Sequence, residues 1–275
     1  MENLRILFIT QEIAPYVSAT PIASISRELP QRMQENGMEI RTFLPRYGCI
    51  NERRNQLHEV IRLSGMNMII SDTDHPLIIK VASLMPVRMQ VYFIDNEDFF
   101  GRKELLADAS GVPFDDNDER AIFYARGVLE TVRKLRWAPD IVHCLGWFSS
   151  LVPLYVRKAF KEDPLFNKSK VVLTLFNDGF DKPFSANFKQ KAVIEGVTKK
   201  DLSVLDTPDY VSLSKLAVNY SDGIIEGCPG VNETVLQHVL KSRKLFLPWQ
   251  EPGEGHDPVA ACADFYQAVL NNTKK

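Results

Sequence analysis

Three short stretches of this sequence carry side chains that could do chemistry. His143-Cys144-Leu145-Gly146-Trp147-Phe148 follows the apolar pair Ile141-Val142. Phe176-Asn177-Asp178-Gly179-Phe180-Asp181 follows Val171–Leu175, and the polar segment Gln11–Thr20 follows Ile6–Ile9. His143 could act as a general base or as a donor to a sugar hydroxyl. No carboxylate stands beside it in sequence to orient the ring, so a satisfied structural histidine is the favoured reading. Cys144 could be a nucleophile but reads better as a small buried strand residue. Trp147 could stack on a sugar, or anchor a helix in the core, which we favour. Asn177 and Asp178 could bind a hydroxyl-rich ligand; Asn-Asp-Gly is equally plain turn chemistry, and both readings stay open. The acidic run Asp115-Asp116-Asn117-Asp118-Glu119 could hold a metal, but ahead of a helix it reads as an N-terminal cap. The cysteines Cys49, Cys144, Cys228 and Cys262 lie far apart with no Cys-x-x-Cys pair, so no metal centre is expected.

For these stretches to meet, each must follow a strand of one parallel sheet, which places its functional loops at the carboxyl ends of its strands. Leu4–Ile9 reads as such a strand. Ile22, Ile25, Leu29 and Met33 then recur at helical spacing, with Thr20 as cap, Pro21 at the first helical position and Gly37 as the stop. Glu39–Leu44 completes a βαβ unit. Residues 57–95 differ: His58–Leu63, Met66–Ser71, Leu77–Leu84 and Val87–Ile94 read as an antiparallel insertion that returns to the sheet at Met89–Ile94. Asp116–Arg136 is a helix with Ile122, Ala125, Leu129 and Val132 on one face. Asp140–His143, Lys170–Leu175 and Gly223–Glu226 read as strands, Trp147–Phe160 and Val231–Leu240 as helices. Residues 178–210 read as loop with one or two short helices. A linker with Pro248, Pro252, Gly253, Gly255 and Pro258 leads to an amphipathic helix from Val259 to Leu270. The expected fold is α/β and Rossmann-like. Residues 1–245 form the domain, and 246–275 supply a linker and a helix that packs back on it.

Phosphate chemistry finds little support. No glycine precedes Gly37, so Gln11–Thr20 cannot form a Gly-x-Gly-x-x-Gly turn, and no Gly-Lys-Ser/Thr loop occurs. The helix starting at Pro21 offers backbone N–H groups, but Pro21 removes one and no cation adjoins it. No cofactor is expected. With 33 Lys+Arg against 35 Asp+Glu, the net charge of −2 leaves no electrostatic footprint for nucleic acid. No apolar run approaches the ~18 residues of a membrane span. Ile6–Ile9 is too short for a signal-peptide core, so a cytoplasmic location is expected.

From about residue 4 to about 240 the chain resembles the N-terminal domain of bacterial glycogen synthases and plant starch synthases. The resemblance is carried by Ile6–Tyr16, Leu29-Pro30, Leu44–Gly48, Val91–Asn96, Asp116-Asn117 with Arg120, Pro139–His143 with Trp147, Leu151–Tyr155 and Tyr220–Asp222. It implies one half of a two-domain GT-B glucosyltransferase, a three-layer domain that would extend α-1,4-glucan from ADP-glucose. The departures fall on the site. The family's Lys-Thr-Gly-Gly-Leu-Ala-Asp is here Ser18–Ser24. Its His-Ala-His-Asp-Trp-His keeps only His143 and Trp147, with Gly146 in place of the aspartate. Its Thr-x-His-Asn becomes Thr174-Leu175-Phe176-Asn177. Family enzymes also run to nearly twice this length, with a second domain carrying most nucleotide contacts. The tail helix resembles the one that closes that second domain back on the first. The expectation is a homologue without catalytic residues, whose vestigial pocket comprises Glu12, Ser18, Thr20, His143, Gly146, Trp147, Phe176, Asn177 and Asp178. Its expected partners are α-glucan or a glycogen-metabolism enzyme, not ADP-glucose. The alternatives are a glucosyltransferase completed by a partner chain and a sugar- or nucleotide-binding module.

Overall fold

A computed structural model describes residues 4–251, 253 and 257–272; Pro252 and Gly255 of the expected linker lie outside them. The chain opens with β1 (Arg5–Thr10), buried at every position after Arg5, as befits a strand whose sheet is covered on both faces. Next comes α1 (Pro21–Glu35), where the Thr20 hydroxyl accepts the Ala23 N–H at 3.0 Å, then β2 (Glu39–Pro45). The insertion follows as β3 (His58–Glu59), β4 (Met66–Ile70), β5 (Thr73–Leu84) and β6 (Met89–Asp95). The short α2 (Glu97–Phe100) and the long α3 (Asn117–Leu135) lead to β7 (Ile141–Leu145), α4 (Val152–Arg157) and β8 (Lys170–Leu175). The chain ends with α5 (Phe188–Lys191), α6 (Tyr210–Tyr220), β9 (Gly223–Glu226), α7 (Glu233–Ser242), β10 (Leu245–Leu247) and α8 (Pro258–Asn271).

The strands form one mixed sheet in the order β10-β9-β8-β7-β1-β2-β6-β5-β3, with β4 paired to β5. From β10 to β6 every pairing is parallel, and the insertion strands pair antiparallel. A buried ion cluster holds the insertion to the sheet: Asp95 receives Arg46 at 2.8 Å and Lys80 at 2.9 Å. A buried carboxylate is tolerated there because two cations satisfy it. Helix α3 lies close against β5 and β6 at Gly127, where a Cβ would sit 3.1 Å from Leu77.

Three expectations need correction. The strand His58–Leu63 shrinks to His58–Glu59 because Leu63 and Ser64 turn back onto the Val60 carbonyl. The helix Trp147–Phe160 is broken into a 3-10 turn, Trp147–Ser149, and α4. Pro153 has no N–H to give the Ser149 carbonyl, so one helix cannot run through both. The acidic run ahead of α3 is no side-chain cap: Asp116 makes no capping hydrogen bond and pairs with Arg102. Asp118 is buried and accepts from Ser185 at 2.6 Å and Lys191 at 2.9 Å, so the run ties the 182–191 segment to α3.

His143 lies in the middle of the sheet with no exposure. Its Nδ1 meets the Tyr266 hydroxyl of α8 and its Nε2 the Thr174 hydroxyl of β8, each at 2.6 Å. One histidine thus joins two neighbouring strands to the last described helix. Burial lowers its pKa from 6.5 to about 3. Between these values the unfolded chain binds a proton that the folded chain refuses, so this contribution is complete above 6.5 and is lost as the pH falls toward 3. Tyr266→Phe leaves Nδ1 without its partner and should cost about 1–3 kcal/mol in urea unfolding at neutral pH. A loss below about 0.5 kcal/mol would show that the histidine is not an anchor.

Candidate functional site

Because β1, β7, β8 and β9 run parallel, their carboxyl ends lie along one edge, and the loops leaving them meet there. The turn after β7 pivots on Gly146, whose φ of +79° favours glycine. A Cβ on it would lie 2.6 Å from Gln11 Oε1 and 3.0 Å from Asp178 Oδ2. Those two oxygens accept the next backbone donors, Phe148 N–H to Gln11 at 3.0 Å and Trp147 N–H to Asp178 at 2.9 Å. Gln11 also donates through Nε2 to Glu12 at 3.3 Å. Glu12 in turn receives the hydroxyl of Thr20, the residue that caps α1. On the other side the Tyr210 hydroxyl sits 3.0 Å from the Phe176 carbonyl and 3.2 Å from Asp178 Oδ1. A continuous hydrogen-bonded chain therefore runs from the start of α1 to the start of α6.

This chain floors a cleft of about 710 Å³, within the size range of small-molecule sites. Residues 106–113 form the facing wall and are held by a staple. The fully buried Arg120 donates to the Leu105 carbonyl at 2.7 Å and to Asn117 at 2.6 Å, and Asn117 donates to the Leu106 carbonyl at 2.7 Å. Burial lowers the Arg120 pKa to about 10.

The cleft brings together Glu12, Thr20, Trp147, Phe176, Asn177 and Asp178 of the expected pocket. It leaves out three. Ser18 is exposed and does not line it, His143 is occupied inside the sheet, and Gly146 lies beneath the floor it shapes. Trp147 is buried against Phe180 at 4.8 Å and Phe184 at 5.6 Å, so it is an anchor that also backs the cleft. The Phe176 ring packs where a Cβ of Gly227 would come within 2.6 Å. Sequence reasoning missed Gln11, Asn117, Phe180, Asp181, Tyr210 and Cys228. The Asp209-x-x-Ser212 capping box was the available signal for the helix that brings Tyr210.

Charge in the cleft is negative. Glu12, Asp178 and Asp181 line it, while its one lining cation among the described residues, Lys182, is paired with Asp115. Burial, reinforced by Glu12, raises the Asp178 pKa from 3.8 to about 7, against the hydrogen bonds from Trp147 and Tyr210 that lower it.

An α/β domain with a mostly parallel sheet and a cleft at its carboxyl edge is a Rossmann-like fold, and its match is to a glycosyltransferase. The catalytic domain of starch synthase IV from Arabidopsis thaliana, solved with ADP and acarbose, matches with a TM-score of 0.72 over 90% of this chain and 51% of that one, at 17% identity. The starch synthase catalytic domain family matches residues 5–243, and the chain belongs to that family. It is 38% identical over 274 residues to the glycogen synthase of Chlorobaculum tepidum, covering 98% of this chain and 53% of the relative. To the glycogen synthase of Chlorobium limicola it is 37% identical over 176 residues, 64% of this chain and 36% of that protein. The chain thus spans from about a third to about half the length of these curated relatives. No helix among the described residues is long and apolar enough to cross a membrane.

Two predictions follow from the floor. Gly146→Ala forces a side chain into the left-handed region and against Gln11, and should cost about 1–3 kcal/mol in urea unfolding; an unchanged midpoint would contradict the crowding. Asp178 has a raised pKa, so the folded chain keeps a proton that the unfolded chain releases. Its contribution to stability is complete below 3.8 and is lost as the pH rises toward 7. Asp178→Asn should therefore raise the melting temperature at about pH 8 and lose that advantage near about pH 4. An equal shift at both pH values would refute it.

Proposed function

We propose that this domain binds neutral α-glucan in the cleft at the carboxyl edge of its sheet and does not transfer glucose by itself. The observation that carries this reading is electrostatic. A sugar nucleotide brings a pyrophosphate, which needs cations or free backbone donors. Here the cleft is lined by the carboxylates of Glu12 and Asp181 and by Asp178, which its raised pKa leaves only partly charged at neutral pH; its lysine is already paired, and the chain's own oxygens fill the Trp147 and Phe148 N–H groups. At the start of α1, Glu12 accepts the Thr20 hydroxyl, which puts a negative charge where an incoming anion would meet the capping residue. A neutral polyol meets no such repulsion, and amide, carboxylate and hydroxyl groups beside aromatic rings are suited to it.

Three substitutions relative to the family support the loss of transfer. Ser18, Gly146 and Phe176 stand where the resemblance places a lysine, an aspartate and a histidine, and none can supply charge to a developing transition state. Gly146→Asp alone would not restore a carboxylate, since Gln11 and Asp178 already fill the space. A second reading, a glucosyltransferase completed by another chain, is favoured by the 38% identity to a glycogen synthase across nearly the whole chain. The cysteines are unpaired, which fits action in the reducing cytoplasm beside enzymes of glycogen metabolism.

Thermal melts with maltoheptaose, glycogen and ADP-glucose separate the readings. A ligand at about 100 times its Kd adds roughly 2.7 kcal/mol. Maltoheptaose and glycogen should raise the melting temperature and ADP-glucose should leave it unchanged. Stabilisation by ADP-glucose would overturn the proposal in favour of the completed enzyme.

A further inference from the structure

A pocket of about 160 Å³ lies between α1, the end of β9, the residues that follow β10 and the first turns of α8. It shares no lining residue with the cleft. Its walls are apolar: Leu29 of α1, Ile225 of β9, Leu247 of β10, and Val259 and Ala261 of α8. Cys262 adds a thiol whose pKa burial pushes up to about 12, so that it stays neutral. An engineered cavity of about 150 Å³ lined by such side chains stays dry and binds benzene. One six-membered ring is therefore the apolar body that this pocket fits.

The ionised groups of the wall carry one sign. Glu28 and Glu226 line the pocket, and no cation does among the described residues. Glu28 is already paired, with Arg32 at 3.6 Å. Glu226 is half committed: its Oε2 accepts the Trp249 N–H at 3.1 Å, and its Oε1 has no partner among the described residues. That bond holds Trp249, another lining residue, beside the same carboxylate. The Thr174 hydroxyl, also in the wall, is taken by His143 at 2.6 Å. A carboxylate with a free oxygen next to an indole suits an ammonium, which can donate to the oxygen and lie against the ring.

We propose that this pocket is a second binding site, separate from the cleft, for a small arylalkyl ammonium, with its ring among the aliphatic walls and its charge on Glu226 and Trp249. The site does not depend on what the cleft binds. Because α1, β9 and α8 each supply a wall, a bound ligand also fastens α8 to the sheet that it covers.

The test is a titration at about pH 7 of benzylamine, which is then a cation, against the neutral benzyl alcohol and the anionic benzoate. It is followed by the indole N–H resonance of Trp249 in two-dimensional NMR spectra, assigned with Trp249→Phe. Benzylamine should bind with a Kd of about a millimolar or tighter, benzyl alcohol at least about tenfold more weakly, and benzoate not at all. Glu226→Gln keeps an acceptor for the Trp249 N–H and should melt like the wild type, yet bind benzylamine no better than benzyl alcohol. Ala261→Leu fills the pocket and should abolish binding of both; if it fails to fold, Glu226→Gln carries the test. No response of Trp249 to benzylamine, or equal binding of benzyl alcohol, overturns the proposal. So does benzylamine binding that either folded variant retains in full.

Discussion

Two consecutive backbone N–H groups, those of Trp147 and Phe148, set the terms for the functional edge of this molecule. A turn that leaves the centre of a parallel sheet must find acceptors for its donors, since buried unpaired groups are costly. Here β1 sends Gln11 and the loop after β8 sends Asp178, so three strands are tied at one point. That arrangement requires a glycine at 146, because nothing larger fits between the two oxygens. It also lines the cleft with acidic groups. One of the two oxygens belongs to a carboxylate, and Gln11 holds a second carboxylate, Glu12, beside it. Charge, shape and the absence of a side chain at 146 are one decision rather than three.

The same reasoning explains why the remaining wall needs Arg120. The chain between α2 and α3 has little regular structure to satisfy its carbonyls. A guanidinium, with donors in a fixed fork, reaches the Phe99 and Leu105 carbonyls and the Asn117 side chain from one position on α3. A lysine there would have one nitrogen for three acceptors that lie apart.

Much of the scaffold was legible in the sequence, for reasons visible in β1 and α1. Ile6–Ile9 is apolar throughout because both of its faces are covered, and Thr20-Pro21 marks a helix start by its own chemistry. The insertion was legible where it alternates and failed at 60–63, where apolar residues form a turn rather than a strand. Helix α6 lacked a strong apolar stripe, and β10 is three residues long inside what composition presents as a linker. The site was half legible. Glu12, Asn177 and Asp178 were legible because they leave the ends of β1 and β8, which topology brings together. Gln11 and Tyr210 were not, because their role depends on which distant oxygen or carbonyl they meet. His143 reads as structural by its isolation but also falls in the expected pocket, from which the structure removes it; its partner Tyr266 lies 123 positions away and no local pattern names it.

The anchoring of His143 by Tyr266 has a bearing on how the chain is made. During synthesis the strands β1, β7 and β8 leave the ribosome long before α8, and until α8 arrives the imidazole in the middle of the sheet has only Thr174. Helix α8 also reaches α1, where Arg32 pairs with Asp257 at its start at 2.6 Å. The patch of sheet that Val259, Phe265, Tyr266 and Val269 cover stays open until α8 emerges, an interval in which a holding chaperone has an apolar surface to grip.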